Sequence, residues 1–242
     1  NSRLTYSYII EIIEQMDNDN DFLIKVCEGL LDLKSFCTNN KEISILIHPL
    51  KILSSLDQPA VRDKAINCLK KLAEGQETLS TNSTIFTCVK TAANKTSYSP
   101  RVVAAALIPV TYSHVTDKKQ EELRKIFKRL AFEENSPLVE DLGLKQEAFK
   151  SVVSKSIIRS DLLEIWQSFI TDPIDIIRIK ALECAHFVAS AFKVEETNDK
   201  FFKFIKQVDP NKKSWRIRYA LAECLANIMH KLDKDTIKKE VL

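Results

Sequence analysis

The chain holds 242 residues, with 36 basic and 33 acidic side chains, a formal net charge of +3, 45% hydrophobic residues and 3 glycines. That balance fits one or two soluble domains, and so few glycines leave little for the phosphate-cradling loops of an α/β nucleotide-binding enzyme. The charges intersperse without the basic stripe of a duplex binder, and no apolar run reaches the roughly 18–20 residues of a membrane span, so neither nucleic acid nor membrane is an expected partner.

In chain order, Tyr8, Ile9, Ile10, Ile12 and Ile13 give a helical apolar face that stops at Asp17-Asn18-Asp19. A second face follows through Phe22-Leu23-Ile24-Lys25-Val26. The same alternation recurs around Asp57-Gln58-Pro59, Tyr98-Ser99-Pro100, Asn135-Ser136-Pro137, Asp172-Pro173 and Asp209-Pro210. Proline ends one helix and suits the first turn of the next, while Asp, Asn and Ser supply caps. Each unit therefore reads as helix, tight turn, helix, and Leu162-Leu163, Ile165-Trp166 and Phe169-Ile170 before a turn and Ala181-Leu182, Ala185 and Val188-Ala189 after it show the period.

The second helices share a rung. Val61-Arg62-Asp63-Lys64-Ala65 has relatives at Arg101-Val102-Val103-Ala104, Ile177-Arg178-Ile179-Lys180-Ala181 and Trp215-Arg216-Ile217-Arg218-Tyr219. Arg62 to Arg101 is 39 residues, Arg101 to Glu140 is 39, Glu140 to Arg178 is 38 and Arg178 to Arg216 is 38. A period near 39 with two helices per unit matches HEAT repeats better than tetratricopeptide or ankyrin repeats. The expectation is an all-α, right-handed α-solenoid of about six HEAT-type antiparallel helix pairs. It is a single array over 1–242, with pairs at about 4–38, 41–75, 79–115, 118–156, 159–194 and 199–232. Arg62, Arg101, Arg178 and Arg216 are read as a repeat-register ladder, each arginine pairing with acids of an adjacent turn. Glu77 to Ser83 reads as a solvated loop between units.

Six cysteines, Cys27, Cys37, Cys68, Cys88, Cys184 and Cys224, form no C-x-x-C pair, and His48, His114, His186 and His230 do not cluster with them. The reading is buried structural thiols in a reducing compartment, no metal and no cofactor. Ser, His and Asp residues occur without any strand-turn-helix elbow, so no catalytic residue is assigned and the chain is read as a non-enzyme.

The rungs carry a specific likeness. Ala60-Val61-Arg62-Asp63-Lys64-Ala65, Lys213-Ser214-Trp215-Arg216-Ile217-Arg218-Tyr219, Glu122 to Phe127 with Asn135-Ser136-Pro137-Leu138-Val139, and Asp175-Ile176-Ile177-Arg178 through Ala185 resemble the scaffold (A, 65 kDa) subunit of protein phosphatase 2A, in register over almost the whole chain. In that family, fifteen HEAT repeats form a horseshoe whose N-terminal part receives interchangeable regulatory (B-type) subunits and whose C-terminal part holds the catalytic subunit. The resemblance places this chain at the second to seventh repeats. It implies a non-catalytic scaffold, cytoplasmic and also nuclear, that reaches the catalytic subunit only through repeats not contained here. Asn1 in place of an initiating Met fits either a fragment or a reduced relative.

By position, the turns that line the regulatory-subunit ridge in the family correspond here to Tyr98, Pro137, Asp175, Trp215 and Arg216. The family's paired arginines after the fourth-interval proline are Glu140 and Asp141 here, which inverts the local charge. Two readings of Trp215 stand side by side: a packing residue where other rungs place Val61 or Ile177, or an exposed anchor for a partner. The competing functions are a HEAT-repeat nuclear-transport or trafficking adaptor and, in another class, a HEAT-like DNA glycosylase, which would need clustered cations and a carboxylate on one concave face.

Overall fold

The structure is a computed structural model that describes residues 2–15, 19–74, 79–132, 153–208 and 214–241. Among these, every regular element is helical. The helices gather into two compact units, residues 1–130 and 131–242.

In the first unit, α1 (Ser2–Gln15) is followed by α2 (Asn20–Asp32), which the Asp19 carboxylate opens by accepting from the amide of Phe22 at 2.9 Å. After a 3-10 turn, Leu33–Phe36, Asn39 caps α3 (Asn40–Ser54) by accepting from the Glu42 amide at 3.1 Å, and the Glu42 side chain accepts in turn from the Thr38 amide. Proline sits in the first turn of α4 (Pro59–Ala73). Then come α5 (Leu79–Ala93), α6 (Tyr98–Tyr112) and α7 (Asp117–Phe132), so residues 79–83 are the start of a helix rather than a loop. Pro49 lies inside α3 and Pro109 inside α6, and His48 is an exposed mid-helix side chain.

Two layers result. The first helices α1, α3 and α5 pack side by side, the second helices α2, α4 and α6 do the same, and each pair closes through α3 on α4 and α5 on α6. In α4, Val61, Ala65, Cys68 and Leu72 form the side from which the Cys68 thiol reaches the Cys27 carbonyl of α2, while Arg62, Ile66, Leu69 and Ala73 form the side from which Arg62 reaches α6. All eight are buried. No pair could bury both sides alone, so stacking supplies the core.

The second unit repeats the plan. Residues 155–170 form α8, built from Lys155–Ile157, a π turn at Ile158–Leu162 and Leu163–Ile170. Next come α9 at 175–190 (Asp175–Glu183 and Ala185–Ser190), α10 at 194–205 (Val194–Thr197, a π turn at Asn198–Phe202, Lys203–Ile205), α11 (Trp215–Ile228) and α12 at 234–241. Helices α8 and α10 thus begin about four or five residues before the expected 159 and 199. Trp166 pins three of them: it is fully buried, its indole N–H donates to the Ala181 carbonyl of α9 at 2.8 Å, and its ring stacks on Phe201 of α10 at 4.7 Å. Pro137, Glu140 and Asp141 lie outside the described residues, and so does the turn of the fourth pair.

One register needs correction. In α9, Ile177, Ala181, Cys184 and Val188 are buried, as are Arg178, Leu182, Ala185 and Ala189. In α11 the buried row is Ile217, Leu221, Cys224 and Ile228, which aligns Ile217-Arg218 with Ile177-Arg178 and Val61-Arg62. The rung arginine of α11 is therefore Arg218, 40 residues after Arg178, and Arg216 is an exposed residue at the start of the helix. The two arginines of Trp215-Arg216-Ile217-Arg218 are two residues apart, and only burial shows which one follows the apolar rung position.

Candidate partner-binding turns

The described sequence candidates, Tyr98, Asp175, Trp215 and Arg216, fall on the starts of second helices, and the structure divides them by what their side chains already hold. In the first unit, Tyr98 opens α6 and is 37% exposed. The Arg62 guanidinium lies 5.4 Å from the centre of its ring and donates to the Ser99 hydroxyl at 3.1 Å, and Ser99 donates to Asp57 at 3.1 Å. Ser99 thus ties the start of α6 both to Arg62 of α4 and to the turn before α4, with Arg62 and Ser99 themselves buried. Arg101 sits half-buried beside Arg129; burial first, then that like charge, holds its pKa below the ordinary arginine value.

In the second unit, Arg178 turns inward on its own turn. It donates to the Asp172 carbonyl and to the Asp175 carboxylate, and the Asp172 side chain accepts from the Ile174 amide at 2.8 Å. Asp175 is therefore occupied by a buried arginine three residues on. Ile174, which the sequence does not single out, stands 55% exposed between the two acids. The four rung arginines expected to form one ladder do not share one role: Arg62 links α4 to the start of α6, Arg101 sits beside a like charge, Arg178 braces its own turn, and Arg216 lies exposed at the start of α11.

At the start of α11, Trp215 is 65% exposed, so the packing reading of this residue does not hold. The Arg216 guanidinium lies 5.7 Å from the centre of its ring. One turn on, Tyr219 is 60% exposed and donates to Glu223 at 2.8 Å, and that hydrogen bond to a carboxylate raises its pKa. The first turn of α11 contains no acidic residue. Trp215, Arg216 and Tyr219 thus form an aromatic and cationic patch at the turn.

No three His, Cys, Asp or Glu side chains among the described residues gather as metal ligands. Five of the six thiols are buried, and burial pushes Cys27 and Cys224 up to about 12 and Cys88 up to about 11, far from the thiolate a nucleophile needs. No described helix is long and apolar enough to cross a membrane. A charged groove of about 590 Å³ between α2 and α4 is lined by Lys64, Lys70 and Lys71 against Glu28, Asp32 and Glu74, which leaves it without net charge.

No protein-family model matches the chain. It is similar to a probable serine/threonine-protein phosphatase PP2A regulatory subunit of Caenorhabditis elegans, 24% identical over 183 residues, which cover 76% of this chain and 31% of that protein. The protein phosphatase 2A scaffold subunit of Dictyostelium discoideum is 24% identical over 151 residues, 62% of this chain and 26% of the relative. The regulatory A subunit of protein phosphatase PP2A from Schizosaccharomyces pombe is 20% identical over 230 residues, 94% of this chain and 39% of the relative. The chain thus resembles the A subunits of protein phosphatase 2A and spans between about a quarter and two fifths of the length of these three. Crystal structures of two engineered proteins share the fold at a TM-score of 0.51 each, with 13% and 14% identity over 95% and 93% of this chain and 99% and 98% of theirs.

Proposed function

We propose that this chain is a non-catalytic scaffold segment of a type-2A serine/threonine phosphatase, and that its intra-pair turns dock a regulatory subunit. The observation that carries the reading is the exposed Trp215, stacked with Arg216 at the start of α11, because Trp and Arg are the residues most enriched where interfaces concentrate their binding energy. The in-register resemblance to phosphatase A subunits supports it independently. The catalytic subunit is then met through repeats that this chain does not contain.

The test is affinity of the purified chain for a panel of B-type regulatory subunits, with Trp215→Ala beside it. Truncating a hot-spot indole should cost roughly 2 kcal/mol or more of binding, about a thirtyfold weaker Kd. Absence of binding to every subunit of the panel sinks the reading.

A further inference from the structure

The sequence candidates of the second unit are Asp175, Trp215 and Arg216, and the structure treats them differently. A carboxylate already paired with a buried guanidinium has little left to offer a partner, and the Asp175 carboxylate holds Arg178, which is 5% exposed. Asp172 is likewise engaged, accepting from the Ile174 amide through its side chain and from Arg178 through its carbonyl. What the α8–α9 turn displays is the apolar side chain between them, Ile174.

A single exposed isoleucine is ordinary on any protein surface. Its position makes the difference here: Ile174 is the residue just before α9 and Trp215 is the first residue of α11, two second helices that pack against each other. Packed helices lie roughly 8–10 Å apart from axis to axis, so the starts of these two neighbouring helices belong to one unit. Arg216 supplies the charge of this edge. It covers one face of the indole, and among the described residues no carboxylate pairs with it.

Resting on the docking reading above, we infer that Ile174, rather than Asp175, is the partner-facing residue of the α8–α9 turn. With Trp215 and Arg216 it recognises a protein surface bearing two neighbouring apolar pockets, one of them flanked by a carboxylate. Ile174 and Trp215 fill the pockets and Arg216 meets the acid. Charge complementarity selects this occupant: the described residues of the edge offer a cation and two apolar groups, and the acids of the α8–α9 turn, Asp172 and Asp175, are satisfied internally.

The experiment uses the whole 242-residue chain and the regulatory subunit of the panel that binds it, following both affinity and thermal unfolding. Ile174→Ser should weaken binding about tenfold or more at unchanged Tm, and Arg216→Glu should do the same and flatten the salt dependence of binding. Asp175→Asn should lower the Tm and leave affinity within about twofold, as expected of a residue that acts through Arg178. Wild-type affinity in Ile174→Ser or in Arg216→Glu overturns the inference, and so does lost affinity at unchanged Tm in Asp175→Asn; in these cases docking of the wild type stands. If the wild type binds no regulatory subunit, the docking reading and this inference fall together.

Discussion

The two tryptophans of the chain both belong to the second unit and do opposite things. Trp166 is enclosed by α8, α9 and α10, with its only polar atom satisfied by the Ala181 carbonyl. Trp215 opens α11 with most of its ring in solvent and a guanidinium against one face. The amino acid is the same; neighbours decide whether its area stabilises the fold or remains available to a partner. The unit can therefore be perturbed separately in its core and on its edge.

The largest expected effect is at the buried member of this contrast. Trp166→Ala should destabilise the protein by about 3–5 kcal/mol, because it empties a site that three helices line. Chemical denaturation followed by circular dichroism measures it, and a loss below about 1 kcal/mol would mean that the three-helix joint is not the core of the unit. Trp166→Phe keeps most of the ring and leaves the Ala181 carbonyl without its donor, for about 1–3 kcal/mol.

The rung arginines sharpen the same contrast at smaller scale. Arg178→Ala removes a buried guanidinium from two acceptors and should cost about 1–3 kcal/mol, whereas Arg218→Ala, at the equivalent but exposed position, should stay within about 0.5 kcal/mol. Equal losses would mean that Arg218 is held by the fold as firmly as the buried Arg178.

Acid probes the link between α8 and the start of α10. Glu196 accepts from the Lys193 amide, Arg159 and Lys200, and these bonds bring its pKa down from 4.5 to about 2. A depressed carboxylate stabilises the fold at pH values above 4.5, and the contribution is lost as pH falls from 4.5 toward 2. Melting curves across that window should fall more steeply for wild type than for Glu196→Gln; parallel slopes would show that the cluster is unformed in solution. The smallest effect is Trp215→Ala on stability, expected within about 0.5 kcal/mol even where partner binding collapses.

The helix pairs are legible in the sequence because their cause is local: helical apolar spacing such as Ala181, Leu182, Ala185 and Val188, punctuated by Asp172-Pro173. Trp215 is legible as a residue to watch, although its surroundings are not. Ile174 gives no sequence signal because exposed turn isoleucines have no signature, and Asp175 draws attention through its position in the resembling family's turn, while Arg178 occupies its carboxylate in three dimensions. Counting arginines at a fixed period selects Arg216 in place of Arg218. Burial settles such a choice, and burial is set by the stacked neighbour.

Several helix ends are finished by side chains from elsewhere in the chain. Lys34, at the end of α2, donates to the Lys71 and Glu74 carbonyls at the end of α4; Arg129 of α7 donates to the Ala93 carbonyl that closes α5; Arg159 of α8 donates to the Ala191 carbonyl just past α9. A C-terminal carbonyl row carries partial negative charge, so each cation completes a dipole that its own helix does not own. Melting one helix therefore frays the end of another, and cooperativity passes between elements at these borrowed caps as well as through apolar contact. Replacing Lys34 by Met, which keeps most of the stem and removes the charge, should accordingly broaden the unfolding transition more than it lowers its midpoint.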